Sequence, residues 1–198
     1  MSELSIKEKI IATDMLVLSQ EYLKKILQVS WKKYDIDTLV QYGYIAVIKK
    51  GESYYNLLLK GFRNPYILWA TYAGKWEYAF GGFDRYNKEG FTTQVSNIFT
   101  IYNLRYSRDV EILGIRFRFK KVKKEFLYGL TSQRTQDLPI VYMDKERLFI
   151  EYVRDYIEYD ASFFSSIVPR LDRKKLEQYL KLYPIKKVIN RINSFLCI

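Results

Sequence analysis

The chain has 198 residues, 48% hydrophobic and 28% charged, a balance that excludes the disordered class and gives enough length for two folded units. Its 33 Lys and Arg against 22 Asp and Glu leave a formal charge of +11, which favours polyanionic partners such as nucleic acid. Histidine is absent, which removes the commonest general base, the commonest metal ligand and every His-dependent triad, and the single Cys197 permits no internal disulfide.

No apolar run approaches the roughly 20 residues of a membrane span, and the first residues lack the pattern of a secretion signal. The expectation is a cytoplasmic protein without a membrane partner. In chain order, Ile6, Ile10 and Ile11 at helical spacing predict a first helix over residues 5–13. Ser19 is placed to cap a second, with Tyr22, Leu23, Ile26 and Leu27 inward and Lys24 and Lys25 outward. Residues 28–31 read as a turn into a third helix over 31–42, with Tyr34, Leu39 and Val40 inward and Gly43 as its stop. Two β-rich runs, 44–48 and 53–58, flank the break at 49–52 and predict a hairpin.

Three short helices followed by a two-stranded ribbon follow the order of a winged helix-turn-helix, whose third helix enters the DNA major groove. A small helical cap without DNA contact is the alternative. On the first reading the DNA-contacting residues are Lys24 and Lys25 on helix 2, Trp31, Lys32, Lys33 and Tyr34 on helix 3, and Lys49 and Lys50 in the hairpin. An aromatic at a helix start equally serves packing, which leaves Trp31 and Tyr34 open.

Arg63-Asn64-Pro65 marks a linker turn, so the domains run over residues 1–60 and 66–198. The second is rich in aromatics, with strands over 98–102 and 112–119. Strict alternation from Ile115 to Phe119 gives one apolar and one cationic face, and six cations between Arg116 and Lys124 have no acid among them. Arg116, Arg118, Lys120 and Lys121 are therefore candidates for a further polyanion surface, with a solvated outer sheet face as the alternative. From Asp144 the period becomes helical, with rows Leu148, Tyr152, Tyr156 and Phe149, Val153, Ile157 inward and Glu151, Asp155 and Glu158 as an outer acidic patch. Asp172 is placed to cap a helix through Leu182. A last helix from Pro184 carries an apolar stripe of Ile185, Val188, Ile189, Ile192, Phe195 and Leu196. The fold class is α+β: an N-terminal winged helix-turn-helix followed by a mixed α/β domain ending in helices.

Catalytic patterns are sparse. Asp35 and Asp37 form an acidic pair without a third ligand nearby, and Asp109, Glu111 and Lys120 or Lys121 have only the loose spacing of a metal-dependent nuclease. Gly81-Gly82 belongs to no phosphate-loop or dinucleotide motif. The expectation is a protein that is not an enzyme and uses no cofactor or metal.

Gly81-Gly82-Phe83 followed by the run from Phe91 to Asn103 resembles the AbiEi antitoxin family of type IV toxin–antitoxin systems. Ile115 to Phe119 with Leu127-Tyr128-Gly129, Met143-Asp144-Lys145-Glu146-Arg147-Leu148, and the closing Lys187 to Ile192 are similar to the family's later motifs. Ser96 stands where the family usually has proline, and Asp84-Arg85-Tyr86-Asn87 replaces its small-residue helix. The resemblance implies a winged-helix repressor of its own promoter, active in antiviral defence, whose second domain neutralises a nucleotidyltransferase-like toxin. A regulator without a toxin partner and a metal-dependent nuclease are the alternatives.

Overall fold

A computed structural model of the protein describes residues 5–28, 35–59, 64–135, 138–155 and 161–196, which carry helices and strands in mixed order. Their contacts divide the chain into two units, Met1–Lys75 with Arg134–Ile140, and Trp76–Gln133 with Val141–Ile198.

The first unit opens with α1 (Ile6–Ile11), whose Ser5 and Glu8 cap each other's backbone reciprocally and so satisfy two otherwise orphaned amides. Strand β1 (Val17–Ser19) precedes α2 (Gln20–Gln28), and Ser19 accepts the Tyr22 amide at 3.1 Å as the expected cap. Helix α3 (Ile36–Gln41) starts on Asp35, which accepts from the backbone and hydroxyl of Thr38, both at 2.7 Å. Strands β2 (Ile45–Lys49) and β3 (Ser53–Asn56) form the expected hairpin, and β1 joins it to give the antiparallel order β1-β3-β2. Asn56 is fully buried: its amide donates to the carbonyls of Ile10 and Met15, fixing the chain between α1 and β1 onto the sheet.

The core here is Ile6, Ile10, Leu18, Leu23, Leu39, Ile45 and Tyr54. Ile11 and Tyr22, expected inside, are 42% and 36% exposed, because short helices bury a stripe narrower than their apolar residues suggest. The segment expected to be a linker starts α4 (Pro65–Ala73) instead. Asn64 caps it and Pro65 takes the first turn, where its missing N–H costs nothing. Helix α4 packs on β2 within the first unit, so that unit extends past residue 66.

The second unit is built on a mixed sheet of order β6-β7-β5-β4-β9-β8. The sheet's strands are β4 (Tyr78–Gly81), β5 (Ile98–Asn103), β6 (Arg108–Ile112), β7 (Ile115–Lys121), β8 (Leu130–Thr135) and β9 (Leu138–Met143), of which the last two residues of β8 and the first three of β9 are counted with the first unit. A short helix α5 (Phe83–Lys88) follows β4, and α6 (Lys145–Asp155), α7 (Ala161–Ile167), α8 (Arg173–Leu182) and α9 (Lys186–Leu196) close the chain. Strands β5 and β7 run parallel, with β6 antiparallel on the outer side of β7. Asp172 caps α8 by accepting from the Lys175 amide at 3.1 Å, as expected, while α9 begins two residues beyond Pro184. Val188, Ile192 and Leu196 of its stripe are buried against Leu148, Phe149, Tyr152 and Val153.

Gly82 joins β4 to α5 at φ +81°, and a Cβ there would lie 2.5 Å from the Thr100 hydroxyl of β5. Gly82→Ala is expected to destabilise the protein through both backbone strain, about 1–3 kcal/mol, and the clash. Gly74→Ala, at φ +57° with open space around it, carries strain alone. Denaturant midpoints check this: equal losses in the two variants would refute the packing role of Gly82.

Candidate nucleic-acid interface

Leu23 turns into the core of the first unit, so Lys24 and Lys25 on the next positions of α2 face solvent. Lys50, in the β2–β3 turn, is exposed, and Lys49 is exposed while reaching Glu52 at 2.5 Å. That turn lies against the start of α2, where the Gln20 amide donates to the Glu52 carbonyl at 3.0 Å. Structure therefore groups the hairpin lysines with the α2 end of the unit. Trp31, Lys32, Lys33 and Tyr34 lie outside the described residues. Asp35 is occupied as a helix cap, and its hydrogen bonds from Thr38 hold its carboxyl below the usual range.

The cationic face of β7 meets acids from its neighbour. Ile112 and Ile115 pair across a two-residue turn, Leu113-Gly114, with both φ values positive, and this sets Glu111 opposite Arg116 and Asp109 opposite Arg118. Arg118 holds Asp109 through two hydrogen bonds at 3.0 and 3.2 Å, and Arg116 lies 3.8 Å from Glu111. Lys120 reaches Asp155 of α6 at 3.2 Å. Of the four candidate cations on this strand, Lys121 alone forms no ion pair among the described residues. Asp109 and Glu111, the nuclease candidates, are likewise committed to arginines rather than to each other.

A second cationic group was not anticipated. Arg105, in the turn after β5, lies over the Trp76 ring at 3.9 Å, Arg108, at the start of β6, over the Tyr106 ring at 4.3 Å, and the two rings meet edge to face at 5.8 Å. The sequence signal was Arg105-Tyr106-Ser107-Arg108, hidden because Trp76 is distant in the chain.

The most buried charges belong to α6. The expected acidic patch is corrected at Glu151, which is 0% exposed. Arg147, also 0% exposed, and Arg154 each approach one of its carboxylate oxygens at 2.6 Å. The hydroxyls of Tyr102 and Tyr183 donate to it at 3.3 and 3.2 Å. Asp155 is engaged too, accepting from Tyr86 at 2.9 Å, and Glu158 lies outside the described residues. Burial alone pulls the guanidinium of Arg147 down, but Glu151 outweighs it and holds Arg147 above its ordinary range. Glu146 accepts the Asp172 amide at 3.0 Å and an ion pair from Lys175 at 3.1 Å, which ties the start of α6 to that of α8.

No protein family and no curated protein matches this chain.

Two outcomes follow from the ionic cluster. Arg147→Ala leaves Glu151 with one cation in a buried site and is expected to cost about 3–5 kcal/mol in stability. Thermal and denaturant melts check it, and a variant as stable as the parent would contradict the reading. The second concerns pH. Burial pushes the phenols of Tyr78 and Tyr128 up to about 12, and burial with Glu151 nearby raises Tyr102 and Tyr183 as well. Above the ordinary phenol pKa of about 10 the unfolded chain gives up protons that the folded chain retains, so stability falls as pH rises from there. With no histidine to titrate, stability should be flat between about pH 6 and 9 and drop steeply above about 10. Denaturation midpoints across pH, with tyrosinate absorbance followed in parallel, test this; a marked slope near neutrality would defeat it.

Proposed function

We propose that this chain is a DNA-binding transcriptional autorepressor and antitoxin of a type IV toxin–antitoxin system. Its N-terminal unit is a winged helix-turn-helix bound to double-stranded DNA at its own promoter, and its larger unit neutralises a nucleotidyltransferase-like toxin in the cytoplasm. The observation that carries the first part is topological. The order α1, β1, α2, α3, β2, β3, with a sheet of order β1-β3-β2, puts two consecutive helices beside a hairpin whose turn can project as a wing. Lys24, Lys25, Lys49 and Lys50 are exposed on those elements, where lysines contact phosphate without reading sequence.

The second part rests on the resemblance to AbiEi antitoxins, and the geometry gives its residues physical roles. Gly82 is wedged against Thr100. Gly129 leaves no room for a Cβ, which would lie 2.7 Å from Arg147 and 2.8 Å from Tyr179. Glu146 and Arg147 open α6 and connect it to the rest of the unit. These are roles in holding a fold, and the proposal accordingly assigns the chain no catalysis, cofactor or metal. Among the described residues, no helix is long and apolar enough to cross a membrane.

A full-length quadruple variant, with Gln replacing Lys24, Lys25, Lys49 and Lys50, separates the two activities. Each lost phosphate contact should flatten the dependence of log affinity on log salt by about 0.9, so promoter binding should weaken and lose most of its salt sensitivity. The same variant should still rescue cells expressing the product of the adjacent gene. Unchanged promoter affinity would overturn the DNA assignment. Failure of the parent chain to rescue would overturn the antitoxin assignment.

A further inference from the structure

Two groups of cations in the larger unit differ chemically. Arg116, Arg118 and Lys120 face carboxylates, whereas Arg105 and Arg108 have no carboxylate partner among the described residues and instead sit over aromatic rings, 3.9 and 4.3 Å from their centroids. Both residues are exposed, with Trp76 beneath Arg105 and Tyr106 beneath Arg108. Lys121, at the end of β7, is exposed beside the same turn, its amide donating to the Ser107 hydroxyl at 2.8 Å.

The turn is rigidly held. Asn103 is fully buried at the end of β5; its side-chain oxygen accepts the amides of Arg105 and Tyr106 at 2.8 and 3.1 Å, and its side-chain nitrogen donates to the Tyr106 carbonyl at 3.0 Å. The Asn103 carbonyl also accepts the Val122 amide at 2.8 Å, closing the turn onto the end of β7. Arg105 and Tyr106 are thus displayed before any ligand arrives, which removes much of the ordering cost of binding.

The geometry points to a contact site for single-stranded nucleic acid on this turn, in which unstacked bases lie on the guanidinium planes of Arg105 and Arg108 and the backbone phosphates pair with these arginines and Lys121. A planar cation stacked on an aromatic ring presents a flat, positively charged surface that suits a base and its phosphate together. A duplex hides its base faces, so only a single strand can use both features. An acidic protein segment would satisfy the charge but not the stacking. The site is independent of the promoter-binding lysines.

Binding of full-length protein to labelled dodecamers of oligo-uridine and oligo-thymidine, to a duplex of equal length without promoter sequence and to polyglutamate tests the assignment, with tryptophan fluorescence read in the same titrations. Single strands should bind more tightly than the duplex or the polypeptide and quench fluorescence, and Trp76→Phe should lose that quench. The relative affinity of the two single strands tells RNA from DNA as the source. The double variant Arg105→Gln, Arg108→Gln should bind single strands about tenfold more weakly or worse, with its salt slope lowered by roughly 1.4. Arg118→Gln, whose cation is already paired with Asp109, should bind as the parent does. Promoter duplex binding by the double variant should be retained, which separates this site from the operator reading. Equal affinity for single strand and duplex, an unaffected double variant, or an equal loss in Arg118→Gln would overturn the proposal.

Discussion

Removing a carboxylate from water costs several kcal/mol unless opposite charge and hydrogen bonds replace the solvent. Glu151 meets that requirement with groups from three parts of the larger unit: Arg147 and Arg154 from its own helix, Tyr102 from β5 in the sheet, and Tyr183 from the end of α8. The directionality of these contacts fixes what apolar packing leaves free. Apolar contacts of Leu148, Phe149 and Val153 have no direction of their own, whereas the hydrogen bonds of Glu151 to Tyr102 and Tyr183 tie the rotation of α6 to both the sheet and the end of α8. Arg147 extends the linkage by lying over the rings of Tyr128 and Tyr183 and donating to the Phe126 carbonyl at 3.4 Å.

Tyrosine is the polar residue this interior relies on. The chain has 19 tyrosines and no histidine, and the phenols of Tyr86, Tyr102 and Tyr183 all donate to buried or half-buried carboxylates. A phenol brings a large apolar body and a single donor at its tip, so it fills core volume and satisfies an acid with one side chain. Burial, with the neighbouring carboxylates, favours the protonated phenols of Tyr86, Tyr102 and Tyr183, so these tyrosines keep their protons over the range in which a histidine would change its own.

How much of this was legible in the sequence depended on whether a residue's role was set by near neighbours. The hairpin of the first unit and the Ser19 and Asp172 caps follow from local spacing and appear where that spacing puts them, as do Val188, Ile192 and Leu196 of the α9 stripe, whereas Phe195 of the same stripe is 36% exposed. Helix α4 escaped because Tyr66, Ile67, Leu68, Trp69 and Ala70 are all buried, which erases the polar face that periodicity detects. Strand β8 escaped for the opposite reason, being polar and largely exposed on both faces. Glu151 was assigned outward because a helix with two apolar rows normally presents its remaining face to water. Its spacing to Arg147 and Arg154, four and three residues, was the available sign that this face had partners of its own. Of the candidate DNA-contacting residues, Trp31 to Tyr34 lie outside the described residues.

The distribution of charge shows the same dependence on tertiary pairing. Read along the chain, Arg116 to Lys124 is the strongest cationic run, and Arg105 to Arg108 is an unremarkable pair flanking a tyrosine. Strand register reverses that order. A two-residue hairpin turn brings the acids of β6 onto the arginines of β7, so much of that run's charge is neutralised at short range and its field decays quickly into solvent. Arg105 and Arg108 have rings rather than carboxylates beneath them, and a ring holds a guanidinium in place without cancelling its charge. The patch most available to a polyanion is therefore found by asking which cations lack an acid within reach, and in a sheet that question is answered by the strand opposite rather than by the neighbours in sequence.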